Sequence, residues 1–222
     1  EDAYAAPSPV KVAAYASRDV AQILAVVSRN GLEPAEIDAV RVTLRVRPEV
    51  ALFELESARV VPERARPGDT VAVEARVRPY RGVPKALRLA LRVPDDAPPG
   101  ESQLFVGGGA ALDRRDAEAR GALEPDSLTA LLGILADRRP GQVLYARLYL
   151  PRPGLRLGAK VYADLPPSLR ATLGSHPALE AHPIDEAPGP EAQRPMAGVV
   201  RGAEALTLEI LPGRPSKESS PP

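Results

Sequence analysis

The chain has 222 residues, enough for one large domain or two small ones with a core that needs no staples. Lys+Arg and Asp+Glu are each 29, so the formal net charge is +0 and no global field draws in nucleic acid or an anionic membrane. Cysteine is absent, which excludes disulfides, thiolate metal ligands and a cysteine nucleophile.

Uninterrupted apolar runs fall well short of the roughly 20 residues a membrane-spanning helix needs, so no transmembrane segment is expected. Pro 26 and Gly 17 suit many short elements joined by defined turns. The chain opens on Glu1, which fits a processed form or a piece of a longer protein, and a signal peptide is expected either upstream of it or not at all.

Residues 1–9 are rich in Ala and Pro and read as a frayed linker, followed by "VKVAAYA" as a short strand. In "SRDVAQILAVVSRNG" Ser17 is placed to cap a helix, Val20, Ile23, Leu24 and Val27 recur at helical spacing, and Gly31 is placed as its left-handed stop. Next, Val40, Val42, Leu44 and Val46 alternate with Arg41, Thr43, Arg45 and Arg47, the period of a half-buried strand. In "VALFELESARVVP" the apolar parity changes between Leu55 and Ala58, which predicts a bulge near Ser57.

Pro67-Gly68-Asp69 predicts a turn, after which Val71, Val73, Ala75 and Val77 face inward and Glu74, Arg76 and Arg78 outward. Arg81-Gly82 predicts the next tight connection, and Leu87, Leu89, Leu91 and Val93 restart the alternation opposite Arg88 and Arg92. "PDDAPPG" ends that strand and "ESQLFV" begins another. Short strands at this spacing predict an α+β fold on an antiparallel β-sandwich-like core.

Further on, "DSLTALLGILADRRPG" has helical spacing at Leu128, Leu131, Leu132 and Leu135, with Asp126 as cap and Pro140 as stop. "QVLYARLYLPRPG" reads as a strand, and "PPSLRATLG" as a short third helix with Pro167 near its first position. Residues 175–195 read as an exposed Pro-rich loop, and "ALTLEIL" as a last strand with Leu206, Leu208 and Ile210 inward. The predicted divisions are 1–36, linker and helix; 37–110, β-sandwich core; 111–211, a helix-strand extension packed on it; and 212–222, a disordered tail.

Four blocks stand in order: "RPGDTVAVEARVRPYRGVP", "VPDDAPPGESQLFVGGGAAL", "LYARLYLPRPGLRLG" and "LPPSL". Their order and spacing resemble the C-terminal, non-peptidase region of bacterial SpoIVB-type serine peptidase-related envelope proteins, across residues 58–173. The resemblance implies an exported protein, periplasmic or at the cell surface. Its implied partners are an attached or associated peptidase-like domain and other envelope proteins. It carries over no catalytic residue, because the only histidines are His176 and His182 and no Gly-x-Ser-Gly pattern occurs.

No catalytic, cofactor or metal residue is therefore assigned. Gly107, Gly108 and Gly109 lack a phosphate-loop pattern and read as a flexible corner. Asp113, Arg114, Arg115 and Asp116 read as a solvated turn or helix start, and Asp95 and Asp96 as turn residues. His176 and His182 sit in a Pro-rich stretch that offers a metal little rigidity. Tyr145 and Tyr149 flank Arg147 on one strand face and read as cover for a sheet or a helix.

The remaining group is Arg41, Arg45, Arg47, Arg76, Arg78, Arg88 and Arg92, which alternation places on an outward sheet face. Arg41, Arg45, Arg76, Arg78, Arg88 and Arg92 are the candidate interaction face, balanced by Glu54, Glu56 and Glu74. With aromatic content at 4%, stacking on single-stranded nucleic acid is not expected. The predicted role is a non-catalytic accessory or interaction region; the alternative is a carbohydrate- or polyanion-binding module.

Overall fold

A computed structural model describes residues 3–43, 45–120, 125–157, 160–176 and 179–213. The protein is α+β, with four helices among the described residues and strands that pair mostly antiparallel. In chain order the elements are α1 (Pro9–Ser28), β1 (Leu52–Val61), β2 (Arg64–Ala65), β3 (Thr70–Pro79), β4 (Lys85–Arg92), β5 (Gly100–Gly108), α2 (Gly109–Arg120) and α3 (Leu128–Ala136). There follow β6 (Val143–Leu150), β7 (Gly154–Leu157), β8 (Lys160–Tyr162), α4 (Pro167–Gly174), β9 (Ala181–Ile184), β10 (Ala187–Pro195), β11 (Val199–Arg201) and β12 (Ala203–Ile210).

Among the described residues the strands form three sheets, ordered β11-β1-β3-β4, β10-β6-β5-β12-β2 and β8-β7-β9. The inward rows form because period-2 side chains share one face. Val71, Val73, Ala75 and Val77 on β3 and Leu89, Leu91 and Val93 at β4 are buried. They meet Leu104 and Val106 of β5, Leu144, Ala146 and Leu148 of β6, and Leu208 and Ile210 of β12 in one apolar cluster. Leu206 is half-buried against it.

Local signals set the turns. Gly68 takes a φ of 84° after Pro67, and Asp69 Oδ2 accepts from the Arg66 N–H at 2.8 Å, closing the connection into β3. The β1–β3 register slips between Leu55 and Ser57, where the parity change predicts a bulge. At the next turn the residue with positive φ is Arg81, at 55°, and not its neighbour Gly82.

Several expectations are corrected. Helix α1 begins at Pro9, so "VKVAAYA" is helical, because Pro9 presets the first turn and the Ala-rich run favours propagation. It ends without a left-handed Gly31; Asn30 takes over, its Nδ2 donating to Val27 O at 2.6 Å and its Oδ1 accepting from Leu32 N and Glu33 N. The expected frayed linker is anchored at Ala5 and Ala6, which are buried, and Arg201 Nη2 donates to Ala5 O at 2.8 Å. Helix α3 is capped by Ser127, which accepts from Ala130 N, and not by Asp126.

Two corrections concern strands. Residues 40–43 and 45–46 belong to no strand, and Val40, Val42 and Val46 are 51%, 51% and 81% exposed. Leu44 lies outside the described residues, as do residues 214–222 of the expected tail. Residues 175–195 are not simply a loop; they supply β9, beside β7, and β10, beside β6. β10 carries Pro188, Pro190 and Pro195, which a sheet tolerates at an edge.

Gly107 and Gly108 are strand residues under close approach and not a flexible corner. A Cβ on Gly108 would sit 2.2 Å from Val200 O, and one on Gly109 2.7 Å from Arg139 O. The tight fit lets β5 run directly into α2. Among the described residues no helix is long and apolar enough to cross a membrane.

Candidate functional site

The predicted arginine face divides. Arg76 and Arg78 on β3, and Arg88 and Arg92 on β4, share the outer side of the first sheet, because their inward neighbours fill the core. Arg41 and Arg45 lie exposed in an irregular segment and do not join that sheet.

Most cations on the face have an anion. Glu56 accepts from Arg76 Nε at 3.2 Å and from Arg78 Nε, and the Arg78 bond above all holds its carboxyl below the ordinary value. Arg59 Nη2 lies 2.6 Å from Glu74 Oε2, and Arg92 Nη2 lies 3.1 Å from Asp95 Oδ1. Arg88 stands opposite Glu74 in register, but Glu74 is engaged by Arg59 from the other side.

Arg88 opens instead on a groove of about 460 Å³ lined by Arg88, Leu89, Ala90, Ala192, Gln193, Arg194 and Pro195. It lies where β4, the last strand of the first sheet, meets β10, the last strand of the second. Among the described residues, Arg88 and Arg194 have no ion pair or side-chain hydrogen bond. Two exposed arginines without an anion therefore line one groove, an arrangement suited to carboxylate, sulfate or phosphate oxygens.

Sequence reasoning misses the most buried charge among the described residues. Asp116, expected in a solvated turn, is 1% exposed on α2. Leu112, Asp116 and Ala119 share one helical face, and that face covers Tyr145 and Tyr149 of β6. Asp116 Oδ2 accepts from Arg139 Nη2 at 2.8 Å and Arg147 Nη1 at 2.7 Å, and Oδ1 accepts from the Tyr149 hydroxyl at 2.6 Å. Arg139 also pairs with Asp113 at 2.6 Å and Glu191 at 3.0 Å. Burial works against the Arg139 charge, but these carboxylates outweigh it and hold its pKa above the ordinary value.

Arg115 completes the arrangement, with its guanidinium 4.3 Å from the Tyr149 ring centroid and hydrogen bonds to Gln103 and Glu186. Each buried charge meets opposite charge, so the cluster fastens α2 to the sheet. Beside it a cleft of about 490 Å³ is lined in part by Glu101, Glu118, Asp185 and Glu186.

The other sequence candidates are dispersed. Asp95 and Asp96 serve turns: Asp95 pairs with Arg92, and Asp96 with Arg152 at 2.7 Å, a bond that lowers the Asp96 pKa. His182 lies on β9 opposite Arg156, and His176 follows α4. Among the described residues no group of three or more His, Asp or Glu side chains is arranged to hold a metal ion. Comparison with protein-family models, with curated proteins and with solved structures finds no match to this chain.

Proposed function

We propose that this chain is a non-catalytic interaction region that binds an anionic partner in the groove between β4 and β10. The observation that carries this reading is Arg88 with Arg194, two exposed cations on one groove with no anion of their own among the described residues, beside a sheet face whose other arginines are paired. An unpaired, already solvated guanidinium gains a charge-assisted bond on docking and gives up no internal one. In this reading the two main sheets form a β-sandwich-like core, supported by the single apolar cluster to which both contribute.

The four sequence blocks support the wider setting, an exported bacterial protein related to SpoIVB-type peptidases and located in the periplasm or at the cell surface. The partner is then the attached peptidase-like domain or another envelope component. A second reading, binding of an anionic polysaccharide, draws on the same two arginines.

Titration of the purified chain with poly-L-glutamate and with dextran sulfate at low salt tests both. Binding that weakens tenfold or more in the Arg88→Glu/Arg194→Glu variant and with added salt is the expected result. Absence of binding to either polymer, or binding that the double variant leaves intact, overturns the proposal.

A further inference from the structure

Pairing with β3 uses half of the backbone groups of β4. Val93 N–H donates to Asp69 O at 2.8 Å, Val93 O accepts from Gly68 N at 3.1 Å, and the register then runs unbroken from Val71↔Leu91 to Val77↔Lys85. By antiparallel alternation, Leu91, Leu89 and Leu87 present their N–H and C=O groups to β3, and Arg92, Ala90, Arg88 and Ala86 present theirs to the side with which no strand pairs, where β10 borders the groove. The bond from Tyr80 N to Leu52 O fixes the matching phase of β3, whose even-numbered residues turn to β1. Arg92, Ala90, Arg88 and Ala86 are all exposed, and among the described residues no hydrogen bond reaches their outward backbone groups.

We propose that β4 receives an extended acidic segment of a partner protein as an added β-strand, held by this unused backbone edge and by Arg88 and Arg194. The proposal rests on reading the groove as the partner site, and names how that partner binds. Strand addition needs a row of free donors and acceptors at alternate residues, which β4 supplies. The facing strand β10 does not, because Pro188, Pro190 and Pro195 interrupt its N–H donors. Ala86 and Ala90 on either side of Arg88 leave space for the incoming side chains.

Charge selects the occupant. A second copy joining through its own β4 would bring a second Arg88, again without an anion, to the same edge. The β-patterned segment of a second copy carries Arg41, Arg45 and Arg47, again cationic. A strand with Glu or Asp at alternate positions meets the guanidinium groups with opposite sign.

The test uses an end-capped peptide of alternating Val and Glu, eight residues long, its Nα-methylated counterpart of equal charge, and poly-L-glutamate. In the full chain, Ala90→Pro removes one outward N–H and no bond to β3. The expected result is that Ala90→Pro keeps the wild-type circular dichroism and thermal midpoint but binds the peptide at least tenfold more weakly. Arg88→Ala is expected to weaken binding and flatten its salt dependence. A folded Ala90→Pro variant that binds as well as wild type overturns strand addition, as does equal binding of the Nα-methylated peptide, which serves alone if Ala90→Pro does not fold. In either case retained poly-L-glutamate binding leaves the groove reading standing, and loss of all acidic binding removes both.

Discussion

The Tyr149 hydroxyl donates to Asp116 Oδ1 at 2.6 Å beneath α2, while two guanidinium groups occupy Oδ2 of the same carboxylate. Removing that carboxylate leaves Arg147 and Tyr149 without their main partner in a buried setting. Asp116→Ala is expected to lose about 3 to 5 kcal/mol of stability in urea unfolding, the usual cost of breaking a buried pair from one side. A loss below about 1 kcal/mol would show that the cluster is solvated in solution.

The same contact sets a response to alkali. Burial first, then the hydrogen bond and negative charge of Asp116, push the Tyr149 pKa well above its ordinary value, against the pull of Arg147 and Arg115. A raised folded pKa favours the neutral phenol in the folded state. Its contribution is complete below the unfolded value of about 10 and declines above it by about 1.4 kcal/mol per pH unit. Tyr149→Phe is therefore expected to be less stable than wild type at pH 8, with the gap shrinking from pH 10 to 11.5. A gap that stays constant across that range would count against the assignment.

Two glycines make opposite predictions. A Cβ on Gly108 would meet Val200 O at 2.2 Å, and backbone cannot give way cheaply. Gly108→Ala should cost about 1 to 3 kcal/mol or more. Gly133 lies within α3 with nothing within 4 Å of a Cβ, so Gly133→Ala should stabilise by about 0.5 to 1 kcal/mol. Thermal midpoints moving in the same direction for both would refute the packing account.

These outcomes mark what a sequence can carry. Val71, Val73, Ala75 and Val77 are legible as an inward row because explicit turns bound them and every alternate residue is apolar. Val40, Val42 and Val46 have the same period and are exposed, since alternation marks an amphipathic segment but names no sheet for it. Asp116 hides in a run of four charges, and its partners lie 23, 31 and 33 residues away. One local signal was available, the helical spacing from Leu112 to Asp116 to Ala119. Arg76 and Arg88 look alike in the sequence; only the register shows that Glu56 takes one while Arg59 has claimed the Glu74 opposite the other.

The attachment of α1 yields a further prediction. Asp19 accepts from the Tyr4 hydroxyl at 2.5 Å and Arg138 Nη1 at 2.6 Å. Burial raises its pKa, but the two donors outweigh this and hold it below the ordinary value. A depressed carboxyl pKa contributes stability above the unfolded value of about 4 and loses it as pH falls through the folded one. Asp19→Asn should speed tryptic cleavage at Arg29, where α1 ends, several-fold at pH 8. The stability difference between wild type and variant should fade below about pH 4. Equal cleavage rates would mean that α1 is held by other contacts.

Pro188, Pro190 and Pro195 block their strand edge by covalent structure, at any ionic strength. The β4 edge carries no proline and instead presents Arg88, which has no anion among the described residues and whose field reaches about 8 Å at 0.15 M salt and about 3 Å at 1 M. Colloidal stability thus has a fixed half and a tunable half. Concentrated salt is expected to promote self-association through β4, a loss of monodispersity that sedimentation velocity would register and that Ala90→Pro would prevent.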